Sequence, residues 1–173
     1  KYKQVIFVGD SRTEFMENVL KGMGESAIKN VKFVCSAGKK LDWLTTTGWS
    51  QLYAMVQKDT NSILSKKTAV IFNFGVNDLS DYADYVEYYN WIAQQLKGKG
   101  CELYFMSVNP LNRTMLSNTG RADRSEAAVR SFNDYMKANL SSAYTYIDMY
   151  SYLKSTGYSF ASDHYGAGTI DDG

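Results

Sequence analysis

Proline, histidine and cysteine are scarce in this sequence, with one, one and two copies in 173 residues. The two cysteines, Cys35 and Cys101, fall in segments that read as strands. They are expected to be buried, unpaired thiols, and the pair leaves the redox compartment open. Excess charge of either sign is also lacking: 19 basic residues face 18 acidic ones, for a net charge of +1. That argues against a broad electrostatic surface for nucleic acid, leaving only a local patch. No stretch approaches the roughly 18 consecutive apolar residues of a membrane span. No signal peptide is visible, and no repeat or low-complexity linker divides the chain. Lys1 is not a natural initiator. The expectation is a chain cut or processed at its start, with a secreted or cell-surface setting preferred.

What is present fits one globular domain over residues 1–173. Hydrophobic residues make up 45% and charged residues 21%, an ordinary balance for a packed domain. Tyrosine occurs 14 times. It serves both cores and binding surfaces, and packing is the preferred use here.

Apolar periodicity predicts strands and helices in alternation. Gln4–Gly9 is a short apolar strand, and a helix follows with Met16, Val19, Leu20 and Met23 on one stripe. Val31–Ser36 is a second strand, Ser50–Lys66 a helix, and Thr68–Phe74 a third strand. Asp81–Lys97 reads as a helix with Tyr85, Tyr89, Ile92 and Leu96 aligned, ended by Gly98 and Gly100. Glu102–Val108 is a fourth strand, stopped by Asn109-Pro110. Arg124–Leu140 is a helix with Val129, Phe132 and Met136 facing one way. Tyr144–Ile147 is a fifth strand, Met149–Ser155 a short helix, and the tail from Gly157 a loop. Short apolar strands separated by helices imply parallel pairing with both faces covered. In such sheets ligands bind beyond the carboxyl ends of the strands.

Three strand ends carry chemistry. The first is Gly9-Asp10-Ser11-Arg12-Thr13, the second Ser36-Ala37-Gly38, the third Gly75-Val76-Asn77-Asp78. A serine nucleophile needs a base and donors for the developing oxyanion. Ser11 offers a hydroxyl at a strand-to-helix turn, Gly38 a backbone N–H, and Asn77 an amide. Each has a plainer use: Ser11 as a helix cap, Gly38 as a turn glycine, Asn77-Asp78 as a turn pair. Their occurrence together at successive strand ends favours the site. Arg12 either binds a polar or anionic part of a substrate or is a solvated first-turn residue. Tyr165, Trp43 and Trp49 suit a sugar-stacking wall, and Trp43 and Trp49 suit equally well packing beneath their own helix.

In order and spacing these blocks resemble the SGNH (GDSL-like) hydrolases. The Gly-x-Asn-Asp block is the most specific part. The resemblance implies a flavodoxin-like three-layer α/β/α sandwich of about five parallel strands. It implies Ser11 as nucleophile and first oxyanion donor, with Gly38 and Asn77 completing the oxyanion hole. The family's last block, Asp-x-x-His, supplies the orienting acid and the base. Here the sole histidine, His164, directly follows Asp163, which is the wrong step. Asp171-Asp172-Gly173 resembles the opening of that block. Two expectations follow. In the preferred one, Asp172 is the triad acid, and its histidine and the family's last helix lie beyond Gly173. In the other, His164 is the base, with Asp163 or Asp172 as its partner.

The expected activity is hydrolysis of small acyl esters, acetyl above all, on a carbohydrate or cell-wall glycan. That substrate class rests on family analogy. No cofactor and no metal are implied. The rivals are an O-acyltransferase on the same site, a non-catalytic glycan-binding module, and a flavin or nucleotide binder. The last is disfavoured because the loop after the first strand lacks a Ser/Thr/Gly-rich phosphate cradle.

Overall fold

A computed structural model describes residues 2–60, 67–111 and 124–156. Five strands form one all-parallel sheet: β1 (Gln4–Gly9), β2 (Val31–Cys35), β3 (Thr68–Asn73), β4 (Cys101–Met106) and β5 (Tyr144–Ile147). Their order across the sheet is β2-β1-β3-β4-β5. Burial follows position. The central strand β3 is buried at every residue but Ile71, while the edge strands β2 and β5 are mostly half-exposed. Val, Ile and Phe suit that place, because β-branched and aromatic side chains fill a two-faced pleated surface.

Helix α1 (Ser11–Gly22) leaves the end of β1, and a single turn, α2 (Glu25–Ile28), precedes β2. Between β2 and β3 the chain enters α3 (Leu41–Trp43), passes a π-helical turn (Leu44–Gly48), and continues as α4 (Trp49–Thr60). Then come α5 (Tyr82–Leu96), α6 (Glu126–Asn139) and α7 (Met149–Thr156). Leu44 of the π-turn, Leu52 and Val56 of α4, the Tyr85–Tyr89–Ile92–Leu96 stripe of α5, and Val129, Phe132 and Met136 of α6 share one buried cluster with the sheet. The stripes expected on α5 and α6 are therefore the buried ones. Right-handed crossovers place α1 on the opposite face, because the chain steps one way from β1 to β2 and the other way from β2 onward.

The stripe expected on α1 is corrected. Val19 is 45% exposed and Met23 68%, with Phe15 beside them at 45%. Thr13 is the fully buried residue of this helix. The turn that starts α1 sets its rotation, and apolar periodicity alone does not report that rotation. Three strands also end one or two residues sooner than expected, at Cys35, Asn73 and Met106. Beyond those points the chain leaves the ladder to build the rim. The helix expected from Ser50 begins at Trp49, and its expected last residues, 61–66, lie outside the described residues. Cys35 and Cys101 are both free and half-buried. The Cys35 thiol donates to Glu17 at 3.3 Å, and burial pushes it up to about 12, an inert thiol. Among the described residues no helix is long and apolar enough to cross a membrane.

Candidate active site

The parallel register brings three strand ends to one level. Gly9 pairs with Cys35 on one side and Asn73 on the other. The Asp10 N–H donates to the Asn73 carbonyl at 3.4 Å, and the Ser36 N–H to the Gly9 carbonyl at 3.4 Å. Ser11 thus leaves the sheet between the loop that carries Gly38 and the loop that carries Asn77. This is the point at which strand order reverses, where open α/β sheets form their ligand crevice.

The N-cap of α1 is Asp10, not Ser11. The Asp10 carboxylate accepts from the Arg12 N–H at 3.2 Å. Ser11 is the first helical residue, so its N–H has no partner within the helix. Its hydroxyl is released from capping, and the positive end of the helix lies beneath it. Arg12, expected either as a substrate contact or as a solvated first-turn residue, turns its guanidinium into the protein. Its Nε and Nη2 form a fork on the Asp10 carboxylate at 2.9 and 2.8 Å, and Nη2 reaches the Asn73 carbonyl at 3.2 Å. The two side chains are 6% and 0% exposed. Breaking such a pair typically costs about 3–5 kcal/mol, because one charge stays buried alone. Arg12 therefore orders the turn that presents Ser11.

Gly38 is exposed, and its φ of +69° is one that side-chain-bearing residues rarely adopt. Asn77 is half-buried and held from both ends of its amide. Its Nδ2 donates to the Lys39 carbonyl at 3.0 Å, and its Oδ1 accepts from Arg124 Nη2 at 2.8 Å. The first bond ties Asn77 to the residue after Gly38. A second tie runs parallel to it: the buried Asp78 carboxylate accepts from the Leu41 N–H at 2.9 Å and from the Tyr85 hydroxyl at 2.8 Å. Two side chains of one block thus fix the Gly38 loop to the β3 loop.

Desolvation pushes the Asp78 carboxyl up to about 6, offset in part by the Leu41 and Tyr85 bonds. Asp81 adds to the rise, and Lys40 opposes it. An unfolded aspartate titrates near about 4. Between about pH 4 and 6 the folded chain therefore binds more protons than the unfolded one, and its stability falls as pH rises through that window. Asp78→Asn is expected to flatten this slope when urea unfolding is followed from pH 4 to 6. A slope identical to that of the parent would mean that another group sets it.

An open groove of about 330 Å³ adjoins Gly38, lined also by Lys39, Lys40, Asp42, Trp43 and Thr46. Trp43 also packs inward, its ring 6.1 Å from Phe74. Trp49 instead joins Tyr53 and Trp91, each with ring centroids 5.0 Å away. His164, Asp163, Tyr165 and Asp172 lie outside the described residues. Among the described residues no group of three His, Cys, Asp or Glu side chains is placed to hold a metal ion. Arg124 was not among the candidates drawn from the sequence, where it is only the start of a helical pattern.

No family model matches the sequence, and no curated protein does. Solved structures do. The chain is similar to a proposed platelet activating factor from Streptococcus pneumonia, with a TM-score of 0.58 at 15% identity over 88% of this chain and 69% of that one. It is also similar to a proposed GDSL-like lipase from Parabacteroides merdae ATCC 43184, with a TM-score of 0.50 at 14% identity over 96% and 86% of the two chains. The likeness is one of fold. The five-stranded parallel sandwich is the fold implied by the resemblance to SGNH hydrolases.

Proposed function

We propose that this chain is an SGNH-type serine esterase that cleaves small acyl esters through an acyl-Ser11 intermediate. One observation carries the reading: Ser11 opens α1 between the Gly38 loop and Asn77, whose amide is bonded to the residue after Gly38. A serine freed from capping, a left-handed glycine and an anchored amide then face one rim.

Ser11 Oγ attacks the ester carbonyl carbon while its proton passes to a histidine. The carbonyl oxygen becomes an oxyanion, held by the N–H groups of Ser11 and Gly38 and by Asn77 Nδ2–H. Collapse breaks the bond to the leaving alcohol, which takes the proton back from the histidine. Water then adds to the acyl-Ser11 by the same route and releases the acid. The base is a histidine, for which His164 is the candidate within the sequence and Asp172 a candidate orienting acid. The polar lining of the groove beside Gly38 favours a small acyl group on a polar alcohol, such as an acetylated sugar, over a long apolar chain.

The test is acetate release by the full-length protein from an O-acetylated glycan, compared with hydrolysis of a long-chain ester. The reading expects acetate release and much slower cleavage of the long chain. No hydrolysis of any acetyl ester would sink it.

A further inference from the structure

We propose that Arg124 is a positioning residue that fixes the Asn77 amide in the orientation an oxyanion requires. The proposal rests on the reading of Asn77 as an oxyanion donor and deepens it.

A primary amide presents an acceptor at one end and two donors at the other, so it is useful at the rim only if the NH₂ group faces the reacting oxygen. The neighbours of Asn77 define that orientation. Arg124 has donors only, so the atom facing its Nη2 at 2.8 Å must be Oδ1. The Lys39 carbonyl is an acceptor only, so the atom facing it at 3.0 Å must be Nδ2. A flipped amide would set oxygen against carbonyl and NH₂ against guanidinium. Nδ2 has a second hydrogen left for the substrate. The bond from a cation is also charge-assisted, and it polarises the amide so that this hydrogen is a stronger donor.

The rest of α6 explains why Arg124 reaches this far. It stands directly before Ser125, the N-cap of α6, whose side chain accepts from the Ala128 N–H at 3.1 Å. The helix is pinned to the segment just after β4 by Asn133, which exchanges two 2.8 Å bonds with the backbone of Val108. It docks beneath the Asn77 loop at Gly75, which has φ +119° and where an added Cβ would lie 2.3 Å from the Phe132 ring. Only glycine permits that approach. Arg124, just ahead of α6, is thereby held at the rim, 47 residues from Asn77 in sequence.

The test is a double-mutant cycle on the full-length protein, with p-nitrophenyl acetate as substrate and rates normalised to folded protein. Arg124→Met should lower kcat on the order of tenfold with KM unchanged, below the ~10²–10³ ceiling for losing the donor itself. Arg124→Lys, which keeps a cationic donor, should recover part of the loss. In an Asn77→Ala background, Arg124→Met should have no further effect. Equal losses in both backgrounds, unchanged kcat in Arg124→Met, or a rise in KM alone would overturn the positioning role. Full activity in Asn77→Ala by itself would instead overturn the oxyanion reading, and this proposal with it.

Discussion

Ser11→Ala is expected to lower turnover of a small acetyl ester on the order of 10⁶-fold, the scale seen when a serine hydrolase loses its nucleophile. The fold should survive the change. Asp10, not Ser11, caps α1, and alanine is a good helix former at the first helical position. The Asp10–Arg12 fork that shapes the turn involves no atom of the Ser11 side chain. Stability is therefore expected to stay within about 0.5 kcal/mol of the parent, as at surface sites free of special contacts. Steady-state kinetics and urea unfolding on the same preparation check both halves. Full activity in Ser11→Ala would remove the nucleophile assignment. Loss of activity with loss of folding would mean that the hydroxyl supports the turn.

Asn77→Ala is the second large effect, with kcat expected to fall by about 10²–10³ while KM changes little. An oxyanion donor acts on charge that develops only in the transition state, so its removal belongs in kcat. The substitution also cuts the bond to Lys39 and leaves Arg124 without this acceptor. The Asp78–Leu41 tie stays in place and keeps the Gly38 loop near its position. A rise in KM at constant kcat would make Asn77 a ground-state binding group instead.

Much of this site is legible in the sequence because its blocks are local. Val5-Ile6-Phe7-Val8 and the run through Thr68–Asn73 are apolar on both faces, which marks them as central parallel strands. Parallel strands bring their carboxyl ends to one edge, so residues just after them, Ser11, Gly38 and Asn77, share a rim whatever their sequence separation. Other features are set by tertiary packing. The inward turn of Arg12 depends on the geometry of the Asp10 cap, and either role suits an arginine in a first helical turn. The rotation of α1, which leaves Phe15, Val19 and Met23 exposed, follows from the same turn. Arg124 gives no local signal, because its approach to Asn77 needs α6 docked against Gly75. The raised Asp78 carboxyl depends on its burial, which the Leu41 and Tyr85 bonds offset in part and which sequence spacing does not report.

The central claim is that Ser11 is an activated nucleophile. It is tested most directly by treating the full-length protein with a fluorophosphonate and mapping the adduct by mass spectrometry. The account predicts one adduct per chain, on the peptide that contains Ser11, and none in Ser11→Ala. A folded protein that stays unlabelled, or carries the adduct on another residue, would contradict it.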